Sequence, residues 1–498
     1  MYLIGYDIGS SSVKAALVDA ITGETVTVIQ RPEQEMAMQA PQPGWAQQDP
    51  AMWWQYVCEA TTVLLHKSGV VATDIRAIGI AYQMHGLVIV DKNHEALRPS
   101  IIWCDSRAVE IGDRAFQELG ANYCLSHLLN SPGNFTASKL KWVKENEPDL
   151  YQRIHKIMLP GDYIAMRLTG EIFSTISGLS EGIFWDFKKE NISTELLDYY
   201  GIDAEYMPSL RPTFSEQGNV SAAAAAATGL PVGIPVTYRA GDQPNNAMAL
   251  GALQPGEVAG TGGTSGVIYG VVDRPLYDPA SRVNGFAHVN HTEAANRIGI
   301  LLCINGAGSQ YSWIHHQLAQ DGISYNDMEQ LAAKIPIGSD GLTMLPFGNG
   351  AERVLENLNL GAQLFNLQFN RHRREHIYRA ALEGIAFAFV YGAKILEEMG
   401  LNMTKMRVGN DNLFRSAIFS STIATLLNTR IEIVETTGAV GAARAAGVGV
   451  GLYKNPEEAV GQLKVERVFE AEKEPATYQE VYDRWHQELQ NRMHHFRR

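Results

Sequence analysis

Two passages of this chain, one opening at residue 2 and the other at residue 256, follow the same plan, and that repetition restricts the fold more than any other feature. In the first, Tyr2 to Tyr6 reads as a buried strand. Gly9-Ser10-Ser11-Ser12 follows as a tight turn, and Val13 to Val18 as a returning strand that ends at Asp19. In the second, Gly256 to Ala259 reads as the strand and Gly260-Thr261-Gly262-Gly263-Thr264-Ser265-Gly266 as the turn. Val267 to Val272 then returns and ends at Asp273. A supersecondary unit that recurs implies two related domains, each opening with its own loop. Between them strand and helix alternate, with helical spacing over Met52 to Leu65 and strands over Ile75 to Ala81 and Leu87 to Asp91. That is the pattern of an α/β fold with helices covering a sheet. A chain of 498 residues exceeds one ordinary core. The expected architecture is two α/β lobes, 1–249 and 250–498, with a cleft between them.

Composition narrows the function. Lys and Arg number 41 against 54 Asp and Glu, a net charge of −13, which argues against broad nucleic-acid or anionic-membrane binding. No run of about 18 apolar residues suggests a membrane span, and the first residues, Met1 to Asp7, carry no basic leader. Cys58, Cys104, Cys124 and Cys303 are scattered, without metal-ligand spacing, and read as reduced thiols of a cytoplasmic protein.

The loops suggest phosphate chemistry. In Asp7-Ile8-Gly9-Ser10-Ser11-Ser12-Val13-Lys14, small residues let the backbone approach an anion while amides and hydroxyls donate to it. Lys14 adds positive charge. Asp7, at the strand end, is placed to meet a phosphate-bound Mg²⁺, an ion that takes only one or two carboxylates and keeps its waters. One such loop is explained as readily by an ordinary hairpin turn. Two in corresponding places fit a nucleotide held across a cleft. The second loop is neither a GxxxxGK(S/T) phosphate loop nor a GxGxxG dinucleotide fingerprint.

These loops resemble those of the actin-like ATPase superfamily, and further segments are similar to the FGGY carbohydrate kinases. The segments are Trp45-Ala46-Gln47-Gln48-Asp49-Pro50 with Trp53-Trp54, Gln83-Met84-His85-Gly86, Arg98-Pro99 through Trp103-Cys104-Asp105-Ser106-Arg107, Phe135 to Val143, and Gly241-Asp242-Gln243. The likeness runs from Met1 to about Gly451. It implies an actin-like, ribonuclease H-like fold in both lobes and ATP-dependent phosphorylation of a sugar, with the motif set most similar to the branch acting on D-xylulose. Sister kinases of ribulose, gluconate or polyols are the nearest alternatives. A sugar sensor that has lost catalysis is another, and a chaperone-type ATPase a third.

By that resemblance Asp242 is the general base, and Asp7 is catalytic through the metal. Gln83, Met84, His85, Trp103, Asp105 and Asp242 contact the sugar, although Trp103 could equally be core. Gly9, Ser10, Ser11, Lys14, Gly263, Thr264, Ser265, Gly409 and Asn410 hold the nucleotide. Asp242 also reads as a helix N-cap, because Gly241-Asp242-Gln243-Pro244 precedes a helical stretch, and a helix start would keep it ionised. Asn134, Asn366 and Asn410 stand where the family has glycine, and Asn tolerates left-handed backbone best among the other residues. The implied cofactors are ATP and Mg²⁺. The implied partners are a small-molecule sugar and ATP, with no nucleic acid and no membrane, and a homodimer is left open.

Overall fold

The computed structural model describes residues 1–410, 412–461 and 463–497. Asp411, within the segment expected to meet the nucleotide, lies outside the described residues. In the first half, β1 (Tyr2–Ile8), β2 (Val13–Asp19) and β3 (Thr25–Arg31) form an antiparallel meander, and helix α1 (Pro50–Ser68) covers it. Strand β4 (Ile75–Tyr82) pairs parallel to β1. The chain then leaves the sheet for a long excursion that includes α2 (Thr136–Asn146) and α3 (Ile176–Glu181). It returns as β5 (Val236–Gly241), parallel to β4, and turns directly into α4 (Asp242–Ala249), giving the order β5-β4-β1-β2-β3.

Helix α1 shows how the sequence sets its own boundaries. Asp49 accepts a hydrogen bond from the Ala51 amide, Pro50 occupies the first helical position, and Gly69 closes the helix at φ 65°. Trp53, Val57, Ala60 and Leu64 recur at helical spacing and are buried against the sheet.

The second half repeats the design. Its elements are β6 (Glu257–Gly262), β7 (Gly266–Val272), β8 (Asn284–Ala287), β9 (Ile298–Ile304), α5 (Ala307–Gln317), α6 (Arg374–Glu398), β10 (Lys405–Gly409), α7 (Ala417–Leu426), β11 (Ile431–Val434), α8 (Gly438–Gly449), β12 (Val465–Phe469) and α9 (Pro475–Phe496). The sheet order is β8-β9-β7-β6-β10-β11-β12. Its meander β6-β7-β9, with β10 and β11 parallel alongside, matches β1-β2-β3 with β4 and β5.

Two sequence expectations change here. Strand β6 runs on through Gly260-Thr261-Gly262, so the turn is only Gly263-Thr264-Ser265. A Cβ at Gly260 would meet Phe414 at 3.0 Å, and one at Gly262 would meet Leu413 at 3.0 Å, so the glycines mark tight packing within a strand. The cut near residue 250 separates the two sheets but not the two packing units. Helix α8, from the second half, seats on the first sheet so closely that a Cβ at Gly5 would lie 1.9 Å from the Ala439 carbonyl oxygen. Among the described residues no helix is long and apolar enough to cross a membrane.

Candidate functional site

The first loop is supported from behind by buried amides. Gln48 is fully buried; its Nε2 donates to the Ser10 carbonyl at 2.7 Å and to the Ala37 carbonyl at 3.3 Å. Its Oε1 accepts from Trp53 Nε1 at 3.1 Å and from Gln83 Nε2 at 3.2 Å. Gln83, expected at the sugar, is therefore enclosed behind the loop. Trp103 is not core: it is 53% exposed, and its Nε1 reaches Ser10 Oγ at 3.4 Å. Asp105 departs from expectation in the other direction. It is fully buried, and Arg107 grips its carboxylate from Nε and Nη2 at 2.9 and 2.6 Å while the Ala46 amide donates at 2.6 Å. That carboxylate is fully engaged by Arg107 and the Ala46 amide. Gly9, Ser10 and Ser11 remain at the turn, and Lys14 sits opposite Asp7 in the β1–β2 register.

Two buried carboxylates, Asp7 and Asp242, lie close enough to influence each other. Asp7, the penultimate residue of β1, lies beside the start of α8, where a Cβ at Gly438 would lie 2.5 Å from Asp7 Oδ2, so only glycine admits the carboxylate there. Burial raises the Asp7 pKa, with Lys14 opposing. Asp242 is the first residue of α4, and Gly241 holds the cap position without any side-chain capping bond. Burial, then the Asp7 and Glu181 carboxylates, push Asp242 up to about 8. The expectation that the helix start keeps Asp242 ionised is thus reversed, because desolvation and two neighbouring acids outweigh a helix-terminus field.

Met84 and His85 follow β4. Met84 is buried, and its Cγ and Sδ abut Gly241. His85 adopts φ 62°, a conformation that a non-glycine residue holds only when its surroundings fix it. Its amide donates to Glu181 Oε2 at 2.6 Å, and its carbonyl accepts from Lys139 Nζ at 2.8 Å. Phe135 and Phe286 flank the ring, with centroids at 4.7 and 5.5 Å. Burial lowers the Lys139 ammonium to about 7. Neither supporting residue was predicted from the sequence. Lys139 lies in the quoted Phe135 to Val143 segment without an assigned role, and Glu181 sits in no motif.

Beyond the second loop opens a cavity of about 930 Å³, lined among others by Gly263, Thr264, Ser309, Trp313, Leu413 and Arg415. The amides of Gly308 and Ser309, in the first turn of α5, donate to the carbonyls of Gly263 and Thr264 at 3.1 and 2.9 Å and fix the loop. Gly409, Asn410 and Ser265 do not line the cavity. The Asn410 side chain bonds Glu466, and its carbonyl accepts from Arg415 Nη2 at 2.7 Å. The segment after β10 thus meets the cavity through Leu413 and Arg415, with Asn410 anchoring the arginine. Of the asparagines at family glycine positions, Asn366 takes the left-handed form at φ 61°. Asn134 keeps ordinary backbone and donates to the Asp105 carbonyl instead.

Sequence models of the FGGY family of carbohydrate kinases match the chain over both its domains, the N-terminal at residues 2–250 and the C-terminal at residues 258–450. The chain belongs to the FGGY family of carbohydrate kinases. It is 29% identical to the xylulose kinase of Bacillus subtilis over 476 residues, covering 93% of this chain and 91% of that one. It is 32% identical to the L-xylulose/3-keto-L-gulonate kinase of Escherichia coli K12, with the same shares covered. The crystal structure of xylulose kinase from Rhodospirillum rubrum superposes with a TM-score of 0.90 at 27% identity and covers all of both chains. As an FGGY kinase the protein transfers phosphate from ATP to a sugar, and both of its lobes take the actin-like fold of those structures.

Proposed function

We propose that this kinase phosphorylates D-xylulose at its terminal C5 hydroxyl, with Asp242 as general base. The observation that carries the reading is the convergence of Met84, Gly241 and Glu181 beside Asp242, which sets the Met84-His85 pair next to the candidate base. In this reading Met84 walls the carbon skeleton and His85 bonds a hydroxyl. Trp103 covers the sugar above the first loop. The ATP phosphates lie between the Gly9-Ser10-Ser11 and Gly263-Thr264-Ser265 turns, near Lys14, with the nucleoside in the cavity beside Trp313.

Among the described residues no three His, Cys, Asp or Glu side chains converge as a metal cage. The donor set instead suits Mg²⁺ that arrives on the phosphates and keeps its waters, with Asp7 ordering them. When bound, that ion neutralises charge on the β and γ phosphates. Asp242 takes the C5 hydroxyl proton as the new oxygen–phosphorus bond forms and the bond from the γ-phosphorus to ADP breaks. The proton that burial and the neighbouring acids hold on Asp242 must leave before it can accept another, and a cation arriving with the phosphates beside Asp7 would favour the ionised form. Closure of the lobes would exclude water and suppress ATP hydrolysis.

The 32% identity to an L-xylulose/3-keto-L-gulonate kinase supports a second reading, in which the acceptor is another ketose or a sugar acid. A coupled ADP-release assay over ketopentoses, polyols and sugar acids separates them. D-xylulose should give the highest kcat/KM. Preference for a sugar acid would replace it, and no ADP release with any sugar would favour a sensor.

A further inference from the structure

His85 is held at three of its four polar atoms. Its amide and carbonyl are taken by Glu181 Oε2 and Lys139 Nζ at 2.6 and 2.8 Å. Its Nδ1 lies 2.8 Å from the Glu181 carbonyl oxygen and 3.1 Å from Glu181 Oε2. A carbonyl and a carboxylate only accept, so Nδ1 must carry hydrogen there. Nε2 has no partner among the described residues, and the side chain is 20% exposed. A neutral imidazole with hydrogen on Nδ1 keeps a lone pair on Nε2.

We infer that Glu181 is a positioning residue that holds His85 as the Nδ1–H tautomer, so that the sugar must offer a hydroxyl donor to Nε2. The inference rests on the reading of His85 as a sugar contact, and it sharpens substrate choice. An acceptor at Nε2 pairs with a hydroxyl but not with the carboxylate of a sugar acid, which would leave two lone pairs facing each other. Glu181 suits this task because it is buried and reaches both functional residues. Oε2 holds the His85 amide, while Oε1 has no hydrogen-bond partner among the described residues and lies 3.3 Å from where a Cβ on Gly241 would stand. Strain at the left-handed His85 backbone is balanced by these bonds, so their loss frees both ring and backbone.

The test is heteronuclear NMR of the full chain with isotope-labelled histidine, the His85 signals being assigned by their loss in His85→Asn. The expected spectrum at pH 8 shows hydrogen on Nδ1 and a bare Nε2. Glu181→Leu keeps the backbone carbonyl at Nδ1 but removes Oε2 from the His85 amide and ring. With the left-handed backbone released, the Nδ1–H preference should weaken and the sugar KM rise about 10-fold, the scale of one lost hydrogen bond, with the ATP KM within about 2-fold. Glu181→Gln keeps an acceptor and should restore the tautomer and bring the sugar KM to within about 3-fold of wild type. Hydrogen on Nε2 in the wild type, whether alone or on a doubly protonated ring, would overturn the inference. So would a Glu181→Leu protein with unaltered tautomer and sugar KM. If Glu181→Leu does not fold, the wild-type and Glu181→Gln spectra still decide. The expected tautomer together with an unchanged sugar KM in His85→Ala would sink the sugar contact while leaving the positioning intact.

Discussion

The hairpin turn that opens the first sheet and the one that opens the second share a backbone plan and differ in what stands behind them. Behind Ser10 lies a buried set of side chains in which Gln48 bonds the Ser10 carbonyl, the Trp53 indole and the Gln83 amide. Behind Gly263 and Thr264 lies the first turn of α5, and beside them lies the open cavity of about 930 Å³. The first turn is thus built as a rigid wall beside two carboxylates. The second is built as the lip of a chamber. A repeated fold can serve an asymmetric reaction because the repeat fixes only the loop path. The residues packed behind each loop decide whether it is closed off by packed side chains or opens onto a chamber.

The largest way to break this contrast lies at the wall. Asp242→Asn keeps size but cannot take a proton, so sugar phosphorylation should fall at least about 10²-fold while nucleotide binding holds. Steady-state kinetics and ATP titration check the two halves, and near-normal turnover would remove Asp242 from the mechanism. At the lip, Gly308→Ala places a Cβ 2.1 Å from the Gly263 carbonyl oxygen. The ATP KM should rise about 10-fold, equivalent to roughly 1.4 kcal/mol, with the sugar KM unchanged. A sugar KM that rises in parallel would mean the two loops are not independent.

Gln48→Ala tests the support itself. Trp53 Nε1 and Gln83 Nε2 lose their buried acceptor, which should cost about 1–3 kcal/mol in chemical denaturation. A variant as stable as wild type would show that the amide set does not hold the loop.

The smallest effect concerns pH, measured on nucleotide-free protein with a chelator present. Asp242 titrates near 8 in the fold, above the usual aspartate range of the unfolded chain. Between about pH 4 and 8 the folded state therefore holds a proton that the unfolded state has released, and stability falls as pH rises. Asp242→Asn lacks this loss, so its Tm should draw ahead of wild type across that window by a few degrees. Parallel Tm curves would mean that Asp242 is not raised.

Both hairpins were legible because Gly and Ser punctuate apolar runs at fixed places, and local sequence decides a turn. The strand status of Gly260 to Gly262 was not, because glycine reads as a turn unless the crowding by Phe414 and Leu413 is known. Asp105 looked available for a sugar, since nothing in Asp105-Ser106-Arg107 says that Arg107 folds back onto it. Glu181 was invisible for a deeper reason. Its partner His85 is distant in sequence, and a pairing fixed only by tertiary packing leaves no periodicity or spacing to read. Helix α8 escaped in the same way: an alanine-rich helix declares that it packs closely, but not on which sheet.

In the proposed reaction the wall presents Asp242 to a terminal hydroxyl of D-xylulose while the lip presents ATP. Nuclear magnetic resonance of the product from ATP and D-xylulose labelled with ¹³C at C5 tests it most directly. The C5 carbon signal should become split by phosphorus as ADP accumulates. An unsplit C5 signal, with phosphate on another carbon or released as inorganic phosphate, would contradict it.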